Sequence, residues 1–162
     1  MNYHNITVDD MLNGDGLRTV LWVSGCHHHC PNCQNPQTWP ADSGILFDEA
    51  AKKELFDALG RDYMSGITFS GGDPFFCSNR ETVGKLIREI RTLMPEKTIW
   101  LYTGSLFEEI QDIPFLPLID VIVDGPYVDA LRDVQLHWKG SSNQRVIDVK
   151  ESLRQGTVVL WA

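Results

Sequence analysis

Three cysteines, Cys26, Cys30 and Cys33, fall within the stretch Gly25-Cys-His-His-His-Cys-Pro-Asn-Cys-Gln-Asn-Pro36. Thiolates at this C-x3-C-x2-C spacing can hold three irons of a 4Fe–4S cube and leave the fourth without a protein ligand, because full ligation takes four cysteines. An iron with an open position can bind and activate another molecule, so the spacing points to catalysis more than to structural support. The competing reading is a zinc site completed by one of His27, His28 or His29, since zinc takes cysteine-rich tetrahedral ligand sets. If they are not ligands, the three histidines read as a solvated loop. The fourth cysteine, Cys77, stands apart and reads as a buried structural thiol without a ligand role.

A second group of residues narrows the chemistry. The β-rich run Gly66 to Ser70 leads into Gly71-Gly72-Asp73-Pro74. Glycine lets backbone approach a ligand closely because no Cβ intervenes, and on this reading a side chain at Gly72 would block a ligand. Pro74 biases Asp73 towards an extended conformation. Alone, such a segment is a plain turn; after a strand, and beside a cysteine cluster, it reads as a binding element.

Together the two motifs resemble the radical S-adenosylmethionine enzymes. Further stretches sharpen the resemblance: Asn13-Gly-Asp-Gly-Leu-Arg18, Asn35-Pro-Gln-Thr-Trp39, Ile99-Trp-Leu-Tyr-Thr-Gly104, Val121-Ile-Val-Asp-Gly-Pro-Tyr127 and Gly140-Ser-Ser-Asn-Gln-Arg145. In that order and in so short a chain they are similar to the glycyl-radical activases of the anaerobic ribonucleoside-triphosphate reductase-activating family, from the first residues to about Ile147. The resemblance implies one 4Fe–4S cluster on Cys26, Cys30 and Cys33. It also implies S-adenosyl-L-methionine on the open iron, with Gly71, Gly72, Asp73 and Pro74 receiving the methionine ammonium. The implied partners are an anaerobic ribonucleoside-triphosphate reductase as protein substrate and a flavodoxin- or ferredoxin-like electron donor. Two alternatives stay open: a small-molecule enzyme on the same scaffold, similar to 7-carboxy-7-deazaguanine synthase, and a zinc-stabilised binding module.

These residues must be positioned by a fold. Val20–Ser24, Gly66–Ser70, Thr98–Tyr102 and Asp120–Val123 read as strands, with Gln144–Val149 a candidate fifth. Phe47–Leu59 reads as a helix with Phe47, Ala50, Ala51, Leu55, Ala58 and Leu59 on one face. Arg80–Met94 reads as a second, with Val83, Leu86, Ile87, Ile90, Leu93 and Met94 inward and Pro95 ending it. Leu106–Ile110 is a short third helix, and Val158–Trp161 is an apolar tail without an assigned place. Alternating strands and helices predict α/β architecture, a mostly parallel sheet with right-handed crossovers, and ligands at the carboxyl ends of the strands. The cysteines, the Gly-Gly-Asp-Pro segment, Thr103-Gly104 and Asp124-Gly125 all follow such ends, which predicts one composite site including Thr103 and Asp124. Asp124 is either a turn acid or a neighbour of the methionine carboxylate, in contact through a cation. Leu101-Tyr102-Thr103 supplies no second acid for such a cation. At 162 residues the chain is short of the roughly 250 of a closed (β/α)8 barrel. A partial, open (β/α) barrel of the radical S-adenosylmethionine type, one domain over 1–162, is therefore expected. Asn13–Arg18 and Gly140–Arg145 are candidates for shaping its entrance, with Arg18 equally readable as an ion-pair partner.

Composition excludes other classes. Fourteen basic against 22 acidic residues give a net charge of −8, a poor footprint for nucleic acid. No apolar run approaches a membrane span. The N-terminus has no basic region followed by an apolar one, so no signal peptide is expected. Crowded cysteines in such a chain fit a metal centre in a reducing cytoplasm more than a disulfide framework.

Overall fold

The computed structural model describes all residues, Met1–Ala162. Seven strands form one open sheet: β1 (Asn2–Asp10), β2 (Arg18–Val23), β3 (Ile45–Leu46), β4 (Gly66–Gly71), β5 (Thr98–Tyr102), β6 (Val121–Asp124) and β7 (Arg145–Asp148). Their order is β3-β1-β2-β4-β5-β6-β7. The centre, β2-β4-β5-β6, is parallel, and both flanks, β1 with β2 and β3, and β7 on β6, are antiparallel. The sheet is therefore mixed, where a mostly parallel one was expected. The antiparallel flanks are reached without a crossover α-helix: β1 returns directly into β2, and long loops carry the chain to β3 and β7.

The alternation along the strands sorts the side chains onto two faces. Leu21, Ile67, Phe69, Ile99, Leu101 and Ile122 belong to the large aliphatic core. Trp100, Val121 and Val123 form a separate cluster with Tyr102, Trp138, Val146 and Trp161. Both faces are covered, so the central strands read as continuous apolar runs.

The large core is closed by α1 (Glu49–Leu59) and α2 (Arg80–Leu93). In α1, Asp48 caps the first turn by accepting from Ala51 N at 2.9 Å, and Ala51, Leu55, Ala58 and Leu59 are buried. Phe47 precedes the helix, and Ala50 is exposed. In α2, Val83, Leu86, Ile87 and Ile90 face inward, each such side chain contributing about 1.5–3 kcal/mol by burial. Leu93, expected inward, is exposed at the last position of the helix. Fully buried Arg18 donates to Thr68 Oγ1, Thr98 Oγ1 and the carbonyls of Asp15, Ile67 and Thr98, so it ties the Asn13–Arg18 loop to β4 and β5. It pairs with no acid and lies away from the entrance. Burial pushes its guanidinium down to about 10, still charged at neutral pH.

β7 lies within the expected fifth strand, and α3 (Val149–Gln155), capped by Asp148 on Glu151 N at 3.0 Å, follows it. The apolar tail returns alongside β7: Leu160 bridges Ile147, and Trp161 packs edge-on against Trp100 at 5.9 Å. Leu106–Ile110 is reduced to a 3-10 turn, Phe107–Glu109. No helix is long and apolar enough to cross a membrane.

Candidate functional site: a cysteine-lined cavity at the strand ends

The cysteine loop leaves β2 through Ser24-Gly25, and backbone bonds close its neck: Gly25 N donates to Thr38 O at 2.7 Å and Cys26 N to Trp39 O at 3.0 Å. Inside the loop Cys33 N donates to Cys30 O at 3.0 Å. Asn35 N points at the Cys33 sulfur at 3.3 Å, a donor suited to a thiolate. Burial pushes the Cys26 thiol up, and the His28 and His29 backbone amides act against it.

The end of β4 is bonded to that neck. Gly72 N donates to Val23 O at 2.7 Å and Asp73 N to Gly25 O at 2.8 Å. A Cβ on Gly72 would stand 2.6 Å from Gly25 O. The glycine is thus needed for the approach of two backbones, cysteine loop and strand end, and it also lines the cavity. Asn79, buried, donates its amide to Ser24 O at 2.7 Å and Asp73 O at 3.0 Å, fastening the same junction from the start of α2. Its side chain is drawn there and does not cap its own helix.

Asp73 is 2% exposed. Its carboxylate accepts from Phe75 N at 2.9 Å, Thr103 Oγ1 at 2.9 Å, Gly104 N at 3.1 Å and His28 Nε2 at 2.8 Å. The hydrogen bond to Asp73 raises His28 above the ordinary imidazole value, with burial opposing. Gly104 makes room for that ring, since a Cβ there would stand 2.5 Å from it. The histidines are therefore not all a solvated loop. His28 binds Asp73, His29 stacks on Trp39 at 4.4 Å, and His27 lies 4.2 Å from His28.

These groups line one cavity of about 510 Å³ that holds Cys26, Cys30 and Cys33 together with Gly71, Gly72, Asp73 and Thr103. Pro74 is buried behind it. Asp124 is set apart: fully buried, it accepts from Phe107 N at 2.8 Å and from Arg145 Nε and Nη2 at 3.1 and 2.6 Å, and it does not line the cavity. Arg145, whose guanidinium is held above its ordinary value by Asp124 first and Glu108 second, also reaches Glu108. Cys77, expected buried, is exposed.

The cavity fits an iron–sulfur cube better than a single ion. No group of three or more His, Cys, Asp or Glu side chains is placed to hold one metal ion, whereas the cysteines of a cube each bind a different iron and need only share a wall. Residues 12–147 match the family described as a 4Fe-4S single cluster domain. The chain is 44% identical over 146 residues to the anaerobic ribonucleoside-triphosphate reductase-activating protein of Enterobacteria phage T4, covering 90% of this chain and 93% of that one. It is 42% identical over 150 residues to the protein of that name in Escherichia coli, covering 90% and 97%. For the Haemophilus influenzae protein the identity is 38% over 148 residues, covering 89% and 96%. The chain belongs to the anaerobic ribonucleoside-triphosphate reductase-activating protein family. The cysteine loop lies inside the residues matched to the 4Fe-4S single cluster domain.

Sequence reasoning missed two contributors, Asn79 and Gln144, and named His28 only as one of three undistinguished histidines. Gln144 sits in a quoted motif, but nothing in its spacing reveals a bond to Gly125. His28 is one of three adjacent histidines, and only the fold tells them apart.

Proposed function

We propose that this chain activates an anaerobic ribonucleoside-triphosphate reductase. The observation that carries the reading is the sharing of one cavity by all three cysteine thiols and the Gly71-Gly72-Asp73 end of β4. Cys26, Cys30 and Cys33 would hold three irons of a single 4Fe–4S cluster. Asp73 would take the ammonium of S-adenosylmethionine, with Thr103 fixing the carboxylate's orientation and Pro74 keeping its backbone extended. Bound there and reduced by an external donor, such a cluster would supply one electron for cleaving S-adenosylmethionine to methionine and a 5′-deoxyadenosyl radical, which would take a Cα hydrogen from a glycine of the reductase. Asp124 would act indirectly, by fixing Arg145 at the end of β6. We read the parallel centre of the sheet as a partial, open (β/α) barrel in one domain, whose cavity mouth admits a glycine-bearing loop. Reacting atoms must come within about 3–3.5 Å, so that loop enters rather than docking nearby. The reading places the protein in the cytoplasm, with a flavodoxin- or ferredoxin-like protein as electron donor.

The test is anaerobic reconstitution with iron and sulfide, then reductant, S-adenosylmethionine and reductase deuterated at its glycine Cα. A glycyl doublet in electron paramagnetic resonance and deuterium in 5′-deoxyadenosine are expected. Cofactor cleavage with neither signal overturns the reading and favours a small-molecule substrate. Cys26→Ala, Cys30→Ala and Cys33→Ala should each abolish cluster retention by iron count, and Cys77→Ala should not.

A further inference from the structure

The motif Gly140-Ser-Ser-Asn-Gln-Arg145 has no role that its spacing explains, yet in the structure one of its side chains reaches both ends of a cavity wall. Gln144 Oε1 accepts from Gly140 N at 2.9 Å and Ser141 N at 3.2 Å, and Gln144 Nε2 donates to Gly125 O at 3.0 Å. A single carboxamide thus closes the neck of the loop formed by residues 125–140. An amide suits this place because it accepts and donates at one terminus. A carboxylate would face the Gly125 carbonyl, and an alanine would leave two N–H groups and one carbonyl without partners.

The loop so closed is the outer wall of the cavity: Tyr127, Val134, Trp138 and Gly140 line it. Neighbouring bonds brace the neck. Buried Ser141 accepts from Val128 N at 3.2 Å, and Asn143 donates to Pro126 O at 2.7 Å. Farther along, Trp138 holds a left-handed backbone, φ 63°, a conformation that persists only where its surroundings enforce it. They do so here through Tyr102, whose hydroxyl donates to Trp138 O at 2.6 Å, and through Trp100, edge-on at 5.0 Å. The near side of the loop touches the cysteine loop: Asp129 accepts from Tyr127 OH at 2.9 Å and from Asn32 Nδ2, between Cys30 and Cys33, at 2.9 Å. At the rim Val134 is 82% exposed, as is Leu12 at 81% across the same cavity.

We propose that Gln144 is a positioning residue that latches the 125–140 wall and so sets how the protein substrate seats at the cavity mouth. This rests on the activase reading above. Gln144 lines the same cavity but hydrogen-bonds to neither the cysteines nor Asp73, and the loop it latches meets the cysteine loop only through the Asp129–Asn32 bond, so its main effect falls on recognition of the reductase.

The experiment uses the full chain, reconstituted, as wild type, Gln144→Ala and Gln144→Glu. Hydrogen exchange should rise at Gly140 and Ser141 in Gln144→Ala, with the strands of the sheet unchanged. Gln144→Glu, which keeps the acceptor, should fall between. The reductase concentration giving half-maximal glycyl radical should rise about tenfold in Gln144→Ala, as loss of two or three such bonds allows, while affinity for S-adenosylmethionine and iron content stay at wild-type values. Unchanged exchange, or raised exchange with unchanged half-saturation, overturns the latch. Equal losses of reductase and S-adenosylmethionine affinity would do so too, by making the residue generally structural. A wild-type protein that makes no glycyl radical would instead defeat the activase reading, whereas a failure confined to the variants leaves that reading intact.

Discussion

Two buried aspartates stand just beyond or at the ends of strands in the parallel centre of the sheet, and their surroundings give them opposite roles. Asp73, after β4, faces the cavity and is met by a hydroxyl, two backbone amides and an imidazole. No lysine or arginine pairs with it; its one titratable partner is His28 at 2.8 Å, so the charge is compensated only when that imidazole is protonated and is otherwise open to a cationic ligand. Asp124, at the end of β6, is met by the guanidinium of Arg145 and lies off the cavity. A buried carboxylate paired in this way fastens structure, because its charge is already compensated. Equivalent topology therefore does not confer equivalent chemistry. The neighbours that neutralise a charge, or leave it, decide.

The comparison breaks most visibly at Asp124. Asp124→Ala should lower the unfolding free energy by about 3 kcal/mol, the low end for removing one partner of a buried pair, since Arg145 is 31% exposed and keeps Glu108. Denaturant titration measures this, and the folded protein should bind S-adenosylmethionine as wild type does. A loss of affinity without loss of stability would return Asp124 to the cofactor. Asp73→Asn should show the reverse emphasis. Removing a charged acceptor, worth about 1.5–3 kcal/mol, should weaken S-adenosylmethionine binding tenfold or more by anaerobic calorimetry. Unchanged affinity in the folded variant would remove the distinction between the two acids.

Gly72→Ala sharpens the comparison at the β4 end. Overpacking of a Cβ against Gly25 O should cost about 1–2 kcal/mol and shift the cysteine loop. Faster loss of iron to a chelator is expected, and affinity for S-adenosylmethionine should change only in step with cluster content. Loss of affinity at full iron content would instead make Gly72 a ligand-approach site.

The smallest effect is expected at the opposite end of β6. Burial works against ionisation of Asp120, but Ile99 N, Arg91 and Lys150 outweigh it and hold its carboxyl below the ordinary value. A depressed folded-state value stabilises the protein above the unfolded value, about pH 4, and that contribution is lost as pH falls through the folded value. The unfolding free energy of Asp120→Asn should therefore fall less steeply below pH 4 than that of the wild type. Parallel acid limbs would show that the pair adds nothing.

Residue type and order alone carried the grouping of three cysteines, the strand that ends in Gly-Gly-Asp-Pro, the two long helices and the family resemblance. These features are local: three thiols in one loop, a β-rich run before two glycines, apolar residues at helical spacing before Pro95. β1 escaped because Asn2–Asp10 is polar and half-exposed, a flank strand held by its partner rather than by its own pattern. Only the tertiary structure decided that Gly72 serves a backbone contact, that Arg18 binds carbonyls and hydroxyls, that Asp124 is claimed by Arg145, and that Gln144 closes a loop beginning 19 residues before it. A side chain's charge and hydrogen-bonding capacity are written in the sequence, but a long-range contact exists only once the sheet is assembled, and that contact determines whether the capacity serves a ligand or the fold.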